Sequence, residues 1–266
     1  MQALADFGID VPRHILSNAG NSFESVQIDG FEGERQVDVF DWIPGRQLGS
    51  VEGGVDASLG SIGDVYREVG RLAARVHNQS CAWQAPANFK RHAWDAAGLA
   101  GENPFWGRFW ELDALSQPQR KLFVLLKQAL LRDLSELGTS ADVYGLIHAD
   151  LVPENVLVDG ARLQLIDFDD AGFGWHLFEL ATSLYFIRQE PIYAEARDAL
   201  IEGYRELRPL PDAHLARLPM FLAARGSTYL GWVHTRRNEA TAREMTPQLV
   251  EYAAAAAEDY LRVPRP

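Results

Sequence analysis

The 266-residue sequence contains one cysteine, Cys81, and no long apolar run. One cysteine excludes an intrachain disulfide framework and a zinc site built from several thiolates, and it fits a reducing compartment. We interpret Cys81 and the tryptophans as core residues. No segment approaches the ~18 consecutive apolar residues of a membrane helix, and the N-terminus lacks the basic start and apolar run of a signal peptide. The sequence therefore predicts a cytoplasmic protein without membrane contact.

Positive charge is also scarce. Acidic residues number 37 and basic residues 25, which gives a net charge of -12, and no basic run interrupts the sequence. Electrostatic capture of nucleic acid is therefore not expected. The 47% hydrophobic and 23% charged residues are typical of globular proteins, and the length suits one large domain or two small lobes.

The N-terminal part of the chain predicts a short helix and a hairpin. Residues 1–7 favour the end of a helix, since Gly8 and Pro12 follow closely. Two strands are predicted at 25–28 and 36–40, joined by a turn-rich link.

Helical periodicity dominates most of the remaining chain. Apolar residues recur at helical spacing over 62–77, where Ser61 and Asp64 form a candidate capping box, and over 119–137. Residues 143–168 instead predict short strands. From Trp175 onward the pattern is helical again, and Thr246-Pro247 predicts the start of the last helix.

Four polar residues stand among apolar strand residues between 147 and 171: His148, Asp150, Asn155 and Asp167. The segments that flank Asp159-Gly160 predict an antiparallel hairpin centred near Ala161. That register would place Asn155 and Asp167 side by side at the open end. Asp150 precedes Asn155 by only one short loop, so we expect three oxygen-bearing side chains to gather there.

Two carboxylates and a carboxamide suit Mg²⁺, which prefers oxygen ligands and commonly shares the phosphates of a nucleotide. The segment from His148 to Asn155 matches the H-x-D-x-x-x-x-N spacing of the kinase catalytic loop, and Asp167-Phe168-Asp169 follows at the place of D-F-G. Taken alone, His148-x-Asp150 would also fit a metallohydrolase ligand pair or a buried histidine satisfied by an acid.

The HxDxxxxN pattern together with IDFDDAG resembles the aminoglycoside phosphotransferase family, a kinase-like group that includes choline, homoserine and stress-response kinases. VDVFDWIPGRQL is similar to the last strand of the family's N-lobe and its hinge, and VGRLAARVHN to the first helix of its C-lobe. The resemblance implies an α+β, two-lobed protein kinase-like fold. Residues 1–44 would form a reduced N-lobe with the hinge, and residues 45–266 a mainly helical C-lobe.

The resemblance also implies roles for individual residues. Asp150 would be the catalytic base, and Asn155 and Asp167 would hold Mg²⁺ against the phosphates of ATP. His148 and Glu179 would support the loop structurally. The adenine would meet the backbone of the hinge residues Phe40, Asp41, Trp42 and Ile43.

The implied reaction is MgATP-dependent phosphorylation of a hydroxyl on a small molecule, such as an aminoglycoside or an amino alcohol. Two alternatives remain open: a bacterial Ser/Thr protein kinase of the stress-response type, and an inactive truncated pseudokinase that acts as a binding module. No G-x-G-x-x-G pattern occurs, and the three lysines, Lys90, Lys121 and Lys127, lie downstream of where the family places its nucleotide lysine. We therefore expect these 266 residues to bind MgATP weakly and to turn over slowly or not at all.

Overall fold

The computed structural model describes residues 1–50, 53–160 and 162–262. In chain order its strands are β1 (Glu24–Gln27), β2 (Glu34–Val37), β3 (Arg46–Gln47), β4 (Gly49–Ser50), β5 (Gly54–Val55), β6 (Ala93–Trp94), β7 (Tyr144–Ile147), β8 (Val156–Asp159), β9 (Arg162–Leu165) and β10 (Gly172–Trp175). Its α-helices are α1 (Gln2–Asp6), α2 (Ile62–Ala82), α3 (Ala96–Ala100), α4 (Gln117–Leu137), α5 (His176–Leu184), α6 (Tyr193–Leu207), α7 (Asp212–Leu215), α8 (Leu218–Thr235) and α9 (Ala240–Arg262).

The N-terminal hairpin and the two strongest helices are confirmed. β1 and β2 pair antiparallel, shifted slightly from the predicted positions. α2 begins after Ser61, whose Oγ accepts the backbone N–H of Asp64 at 3.2 Å. α4 begins after Ser116, whose N–H donates to the Gln119 side chain at 2.9 Å, and it ends before Gly138. Local capping therefore sets the start of α2 and the end of α4 where the sequence patterns indicated, whereas α2 continues past the predicted end to Ala82 and α4 begins two residues early, at Gln117.

The core lies mainly among the helices that follow residue 61, where α2 packs against α6 and α8 packs against α5 and α9. Glycines allow the crossing of α2 and α6. A Cβ on Gly70 would lie 2.1 Å from the carbonyl oxygen of Leu200, and one on Gly203 would lie 2.0 Å from that of Arg67. Any larger residue at either position would push the two helices apart.

Two small sheets carry the candidate site. One has the order β3-β8-β9, and the other has β10 between β6 and β7, parallel to β6 and antiparallel to β7. Both sheets lie beside the helical core, with Val156 and Leu165 buried in one and Ile147 and Trp175 in the other. The segments after β7 and β9 are thereby brought together.

The predicted register of the β8–β9 hairpin is wrong by one residue. Val156 pairs with Leu165 and Asp159 with Arg162, so Asn155 aligns with Ile166, whose N–H donates to the Asn155 carbonyl at 3.0 Å. This register leaves two residues between the paired strand ends, whereas the prediction required three, and two-residue connections match the twist of paired strands best. Gly160 has φ +61° there. Ala161, the predicted centre, lies outside the described residues.

The predicted start of the last helix is also wrong. α9 begins at Ala240, so Thr246 and Pro247 lie inside it. Proline removes one backbone N–H from a helix interior. The Thr246 hydroxyl donates to the Ala242 carbonyl at 2.6 Å, and both Ala242 and Leu249 are buried. Core packing on both sides of the proline therefore keeps the helix continuous.

Two predicted core residues are exposed instead. Cys81 lies in the last turn of α2, where the helix reaches the protein surface. Trp94 and Trp175 are buried as predicted, but the side chain of Trp42 is 94% exposed, because it lies in the irregular segment between β2 and β3. Among the described residues, no helix has both the length and the apolarity to cross a membrane.

Candidate active site

His148 connects the end of β7 to the end of β9. Its Nε2 lies 2.8 Å from the carbonyl oxygen of Ile166, and because a carbonyl only accepts, Nε2 carries the proton. Nδ1 is then free to accept the backbone N–H of Asp150, at 3.3 Å. The ring of Phe168 packs edge-on against the imidazole, with the centroids 4.7 Å apart. The histidine thus links the two segments that carry Asp150 and Asp167.

Glu179, on α5, fixes the backbone of the same loop. Its two carboxylate oxygens accept the N–H groups of His148 at 2.9 Å and Ala149 at 2.6 Å. Burial raises the pKa of Glu179, while the hydrogen bonds oppose that rise. Ala149 has φ +66°, a left-handed conformation that costs free energy in a residue with a Cβ. The carboxylate therefore stabilises a strained loop from inside the core.

Asp150 is held by donors on both of its carboxylate oxygens. The Asn155 amide donates to Oδ2 at 2.8 Å and to the Asp150 carbonyl at 2.9 Å. A guanidinium nitrogen of Arg225 lies 2.5 Å from Oδ1. The Asp150 side chain nevertheless remains 23% exposed, so the carboxylate is fixed in orientation yet open to solvent.

Arg225 was missed by the sequence reasoning. It lies on α8, is fully buried, and donates to the Ala149 carbonyl at 3.0 Å and the Tyr229 hydroxyl at 2.7 Å. The rings of Tyr229 and Trp106 lie 4.3 and 5.2 Å from its guanidinium carbon. A signal was present, because α8 is apolar around most of its surface and a charge buried in such a helix requires a partner.

The segment after β9 carries two further carboxylates toward Asp150. Asp167 has φ +61°, and with Ala149 it makes up the non-glycine residues of positive φ within the described ranges. The Asp170 carbonyl accepts the indole N–H of Trp94 at 2.9 Å and the His92 ring N–H at 3.0 Å. Burial raises the pKa of Asp170 to about 6, and the negative charge of Asp150 adds to this rise. Asp170 therefore lies half-buried in the turn that follows Asp167, close enough to Asp150 to feel its charge.

The donor set around Asn155 and Asp167 fits the predicted magnesium ion. Both N–H bonds of the Asn155 amide donate to Asp150, which leaves Oδ1 as the Asn155 atom that could bind a metal. Asp167 supplies carboxylate oxygens. Mg²⁺ takes few protein ligands and completes its shell with phosphate and water, so this hard-oxygen pair is a suitable donor set. Groups of three or more His, Cys, Asp or Glu side chains that could hold a metal do not occur in the part of the chain described.

The predicted adenine contacts lie in an extended segment anchored at both ends. Phe40 bridges His14 antiparallel, with bonds from Ile15 N to Val39 O and from Asp41 N to Arg13 O. In this pattern the N–H and C=O of the bridged residue point away from the partner strand, so those of Phe40 remain available to a ligand. The N–H of Asp41 is already used. Trp42 and Ile43 follow, and the Pro44 carbonyl accepts from Gln164 of β9 at 2.5 Å.

The family model described as phosphotransferase enzyme family (APH) matches residues 1–215. This chain belongs to that family. The family predicted from the HxDxxxxN and IDFDDAG patterns is therefore confirmed.

Individual relatives agree with this membership. The amicoumacin kinase of Bacillus subtilis is 27% identical over 245 residues, which cover 88% of this chain and 67% of the relative. The solved structure of a microcompartment-associated aminopropanol kinase has a TM-score of 0.81 at 31% identity, covering 98% of this chain and 78% of the other. That of the amicoumacin kinase hAmiN in complex with AMP-PNP, Ca²⁺ and Ami has a TM-score of 0.74 at 25% identity, covering 96% and 75%.

These superpositions confirm the kinase-like α+β fold with its mainly helical C-terminal part. The chain spans about two thirds of the length of the curated relatives it matches. The division of the chain at residue 44, and the roles of the individual site residues, stay predictions.

Proposed function

We propose that this protein transfers the γ-phosphoryl group of MgATP to a hydroxyl group of a small molecule. The observation that carries the proposal is the arrangement of Asp150, a carboxylate fixed by Asn155 and Arg225 yet open to solvent. A general base needs a set orientation and access to the acceptor, and a fixed carboxylate that is partly open to solvent supports that role. Family membership and the named kinase relatives support the same reaction class.

In the proposed reaction Asp150 accepts the proton of the acceptor hydroxyl. The hydroxyl oxygen forms a bond to the γ-phosphorus, and the bond from that phosphorus to the bridging oxygen breaks, with its electron pair leaving on ADP. Most of the rate enhancement comes from positioning and charge stabilisation in this class of reaction. The rigid hydrogen-bonding of Asp150 serves that positioning.

Asn155 and Asp167 are the residues that would hold Mg²⁺, which neutralises charge on the phosphates when it is bound. The left-handed conformation of Asp167 sets the direction in which its carboxylate leaves the β9 end. The adenine would meet the main chain at Phe40 and the residues that follow, where the Phe40 N–H and C=O are available. His148 and Glu179 act on the loop and not on the substrate.

The acceptor we favour is an amino alcohol. Asp150 and Asp167 both act electrostatically on Asp170, and Arg225 offsets part of their effect. This excess of negative charge favours an acceptor that carries an ammonium group. A relative of similar fold is named for aminopropanol, which contains an amino group and a hydroxyl.

The experiment is a parallel assay of ADP formation with a panel of acceptors. Aminopropanol, homoserine and an aminoglycoside are compared with a matched diol that lacks the amine and with a generic protein substrate. The proposal predicts a phosphorylated small molecule formed in step with ADP, and lower activity on the diol. Phosphorylation of the protein substrate alone would instead support the stress-response type of kinase, and absence of transfer would support a binding module.

A further inference from the structure

We infer that Arg225 is a positioning residue that orients the carboxylate of Asp150 toward the acceptor. The inference rests on the proposed function, in which Asp150 takes the hydroxyl proton. Arg225 lies on α8, outside the HxDxxxxN and IDFDDAG segments that contain Asp150, Asn155 and Asp167. Arg225 itself has no access to solvent, so it acts through Asp150 and not on the substrate.

The guanidinium contacts the loop at two adjacent residues. One nitrogen donates to the carbonyl of Ala149, and another lies 2.5 Å from Oδ1 of Asp150. Because the guanidinium is planar, its donors leave in fixed directions, and two contacts define the carboxylate position relative to the main chain. Asn155 supplies the donor for Oδ2. Each carboxylate oxygen then retains a lone pair that can accept the hydroxyl proton.

The position of Arg225 is itself fixed by α8. The Tyr229 hydroxyl, one helical turn later, accepts from the nitrogen that faces Asp150, and the Tyr229 and Trp106 rings flank the guanidinium. A buried guanidinium is costly unless it is paired and hydrogen-bonded. A purely apolar residue would fill this position in α8 without that cost. The presence of a charged arginine at this position is explained if Arg225 serves to orient the carboxylate of Asp150.

The test compares the variants Arg225→Met and Arg225→Lys with the wild-type protein. Each is assayed well below its melting temperature, and rates are expressed per folded molecule. Misplacement of a reacting group by about 1 Å can cost ~10²-fold in rate. We expect kcat to fall by about 10-fold to 100-fold in both variants, because a lysine point charge cannot reproduce the two-donor fork. The KM for MgATP should stay within about twofold, since Asn155 and Asp167 are untouched.

Arg188→Met is the matched control. Arg188 is a mostly buried arginine that follows α5 in the chain. It pairs with Asp259 at 2.6 Å and not with a residue of the catalytic loop. We expect this variant to lose stability without loss of kcat. If the Met variant of Arg225 does not fold, the Lys variant alone decides.

Unchanged kcat per folded molecule in either variant of Arg225, with an active wild type, would overturn this inference and leave the proposed function intact. Absence of phosphoryl transfer by the wild-type protein would overturn both. A rise in the KM for MgATP with unchanged kcat would also overturn the inference, because it would place Arg225 in nucleotide binding.

Discussion

Asp150 and Arg225 are 75 positions apart in the sequence and meet at 2.5 Å in the folded protein. The contact joins the loop after β7 to the middle of α8, and it places a buried positive charge against the partly exposed carboxylate of Asp150. Asp150 is therefore both the candidate base and the partner of a buried cation. A substitution of Asp150 is therefore expected to change both the rate of phosphoryl transfer and the free energy of unfolding, and the size of each change depends on the new side chain.

Asp150→Asn should abolish phosphoryl transfer while retaining most of the stability. The carboxamide oxygen can still accept from Arg225, although its NH2 group would face the Asn155 amide donor at some cost, and the amide cannot take a proton from the acceptor. Asp150→Ala should lose activity equally and be less stable than Asp150→Asn, because it leaves the buried guanidinium without its partner. ADP formation and urea unfolding of both variants check this order, and equal stability of the two would show that the ion pair contributes little.

Asp167→Ala should remove the Mg²⁺-dependent part of nucleotide binding. The variant loses the carboxylate of the predicted metal pair, and Asn155 alone provides too few oxygen ligands. Calorimetric titration with ATP, in the presence of Mg²⁺ and of excess EDTA, measures the difference. Asp169→Ala is the neighbouring control and should keep the Mg²⁺ dependence. Unchanged MgATP affinity in Asp167→Ala would remove Asp167 from the metal site.

Glu179→Gln should destabilise the catalytic loop. The carboxylate of Glu179 accepts the main-chain N–H groups of His148 and Ala149. In the glutamine variant, the side-chain NH2 group would replace one of the two acceptor oxygens, so one of these N–H groups would face another donor. A buried donor left without an acceptor costs about 1–3 kcal/mol. Urea unfolding should show a loss of this size, and hydrogen exchange should be faster at the Ala149 amide. Exchange that remains as slow as in the wild type would contradict the role given to Glu179.

Stability should fall as the pH is lowered below about 6.5, because two stacked histidines are buried. Burial, with a smaller effect from the charge of Arg208, lowers the pKa of His77 to about 3 and that of His176 to about 2, although the Glu179 carboxylate lies 3.7 Å from Nε2 of His77. The unfolded chain binds protons near the ordinary pKa of 6.5, whereas the native rings stay neutral. The contribution of these two rings to stability is therefore complete above pH 6.5 and declines as pH falls toward 3, by up to about 1.4 kcal/mol per pH unit for each ring. The raised pKa of Asp170 acts in the opposite sense between pH 6 and the ordinary pKa of an aspartate.

The comparison variant is His77→Gln, which keeps a side chain able to bond the Tyr204 hydroxyl, now 2.9 Å from His77. Its free energy of unfolding, measured between pH 7 and pH 5, should depend less steeply on pH. His214→Gln, on the short helix α7, is the control and should leave the slope unchanged. An unchanged slope in His77→Gln would mean that this histidine is already protonated in the native state.

Local patterns in the sequence predicted the helices and the chemistry of the loop. Apolar periodicity and capping residues define α2 and α4 because these effects operate within one or two turns. The spacing of His148, Asp150, Asn155 and Asp167 was enough to indicate the family, since one short stretch of chain carries all four.

Features that depend on distant contacts were not predictable in the same way. Arg225 meets Asp150 only after α8 has packed beside the loop, so the apolar pattern of α8 indicates that Arg225 needs a partner but not that Asp150 is that partner. The β8–β9 register depends on whether two or three residues form the turn, and the strand pattern does not distinguish these lengths. Pro247 is a strong local signal for a helix start, but packing of the apolar face of α9 overrides it.

The most direct test is phosphoryl transfer to an amino alcohol by the wild-type protein and by Asp150→Asn, at equal concentrations of folded protein. With MgATP and aminopropanol, the wild type should form ADP and a phosphorylated alcohol in equal amounts, and the variant should be at least ~10²-fold slower. Transfer by the variant at the wild-type rate, or no transfer by the wild type to any alcohol, would contradict the assignment of Asp150 as the base of a small-molecule kinase.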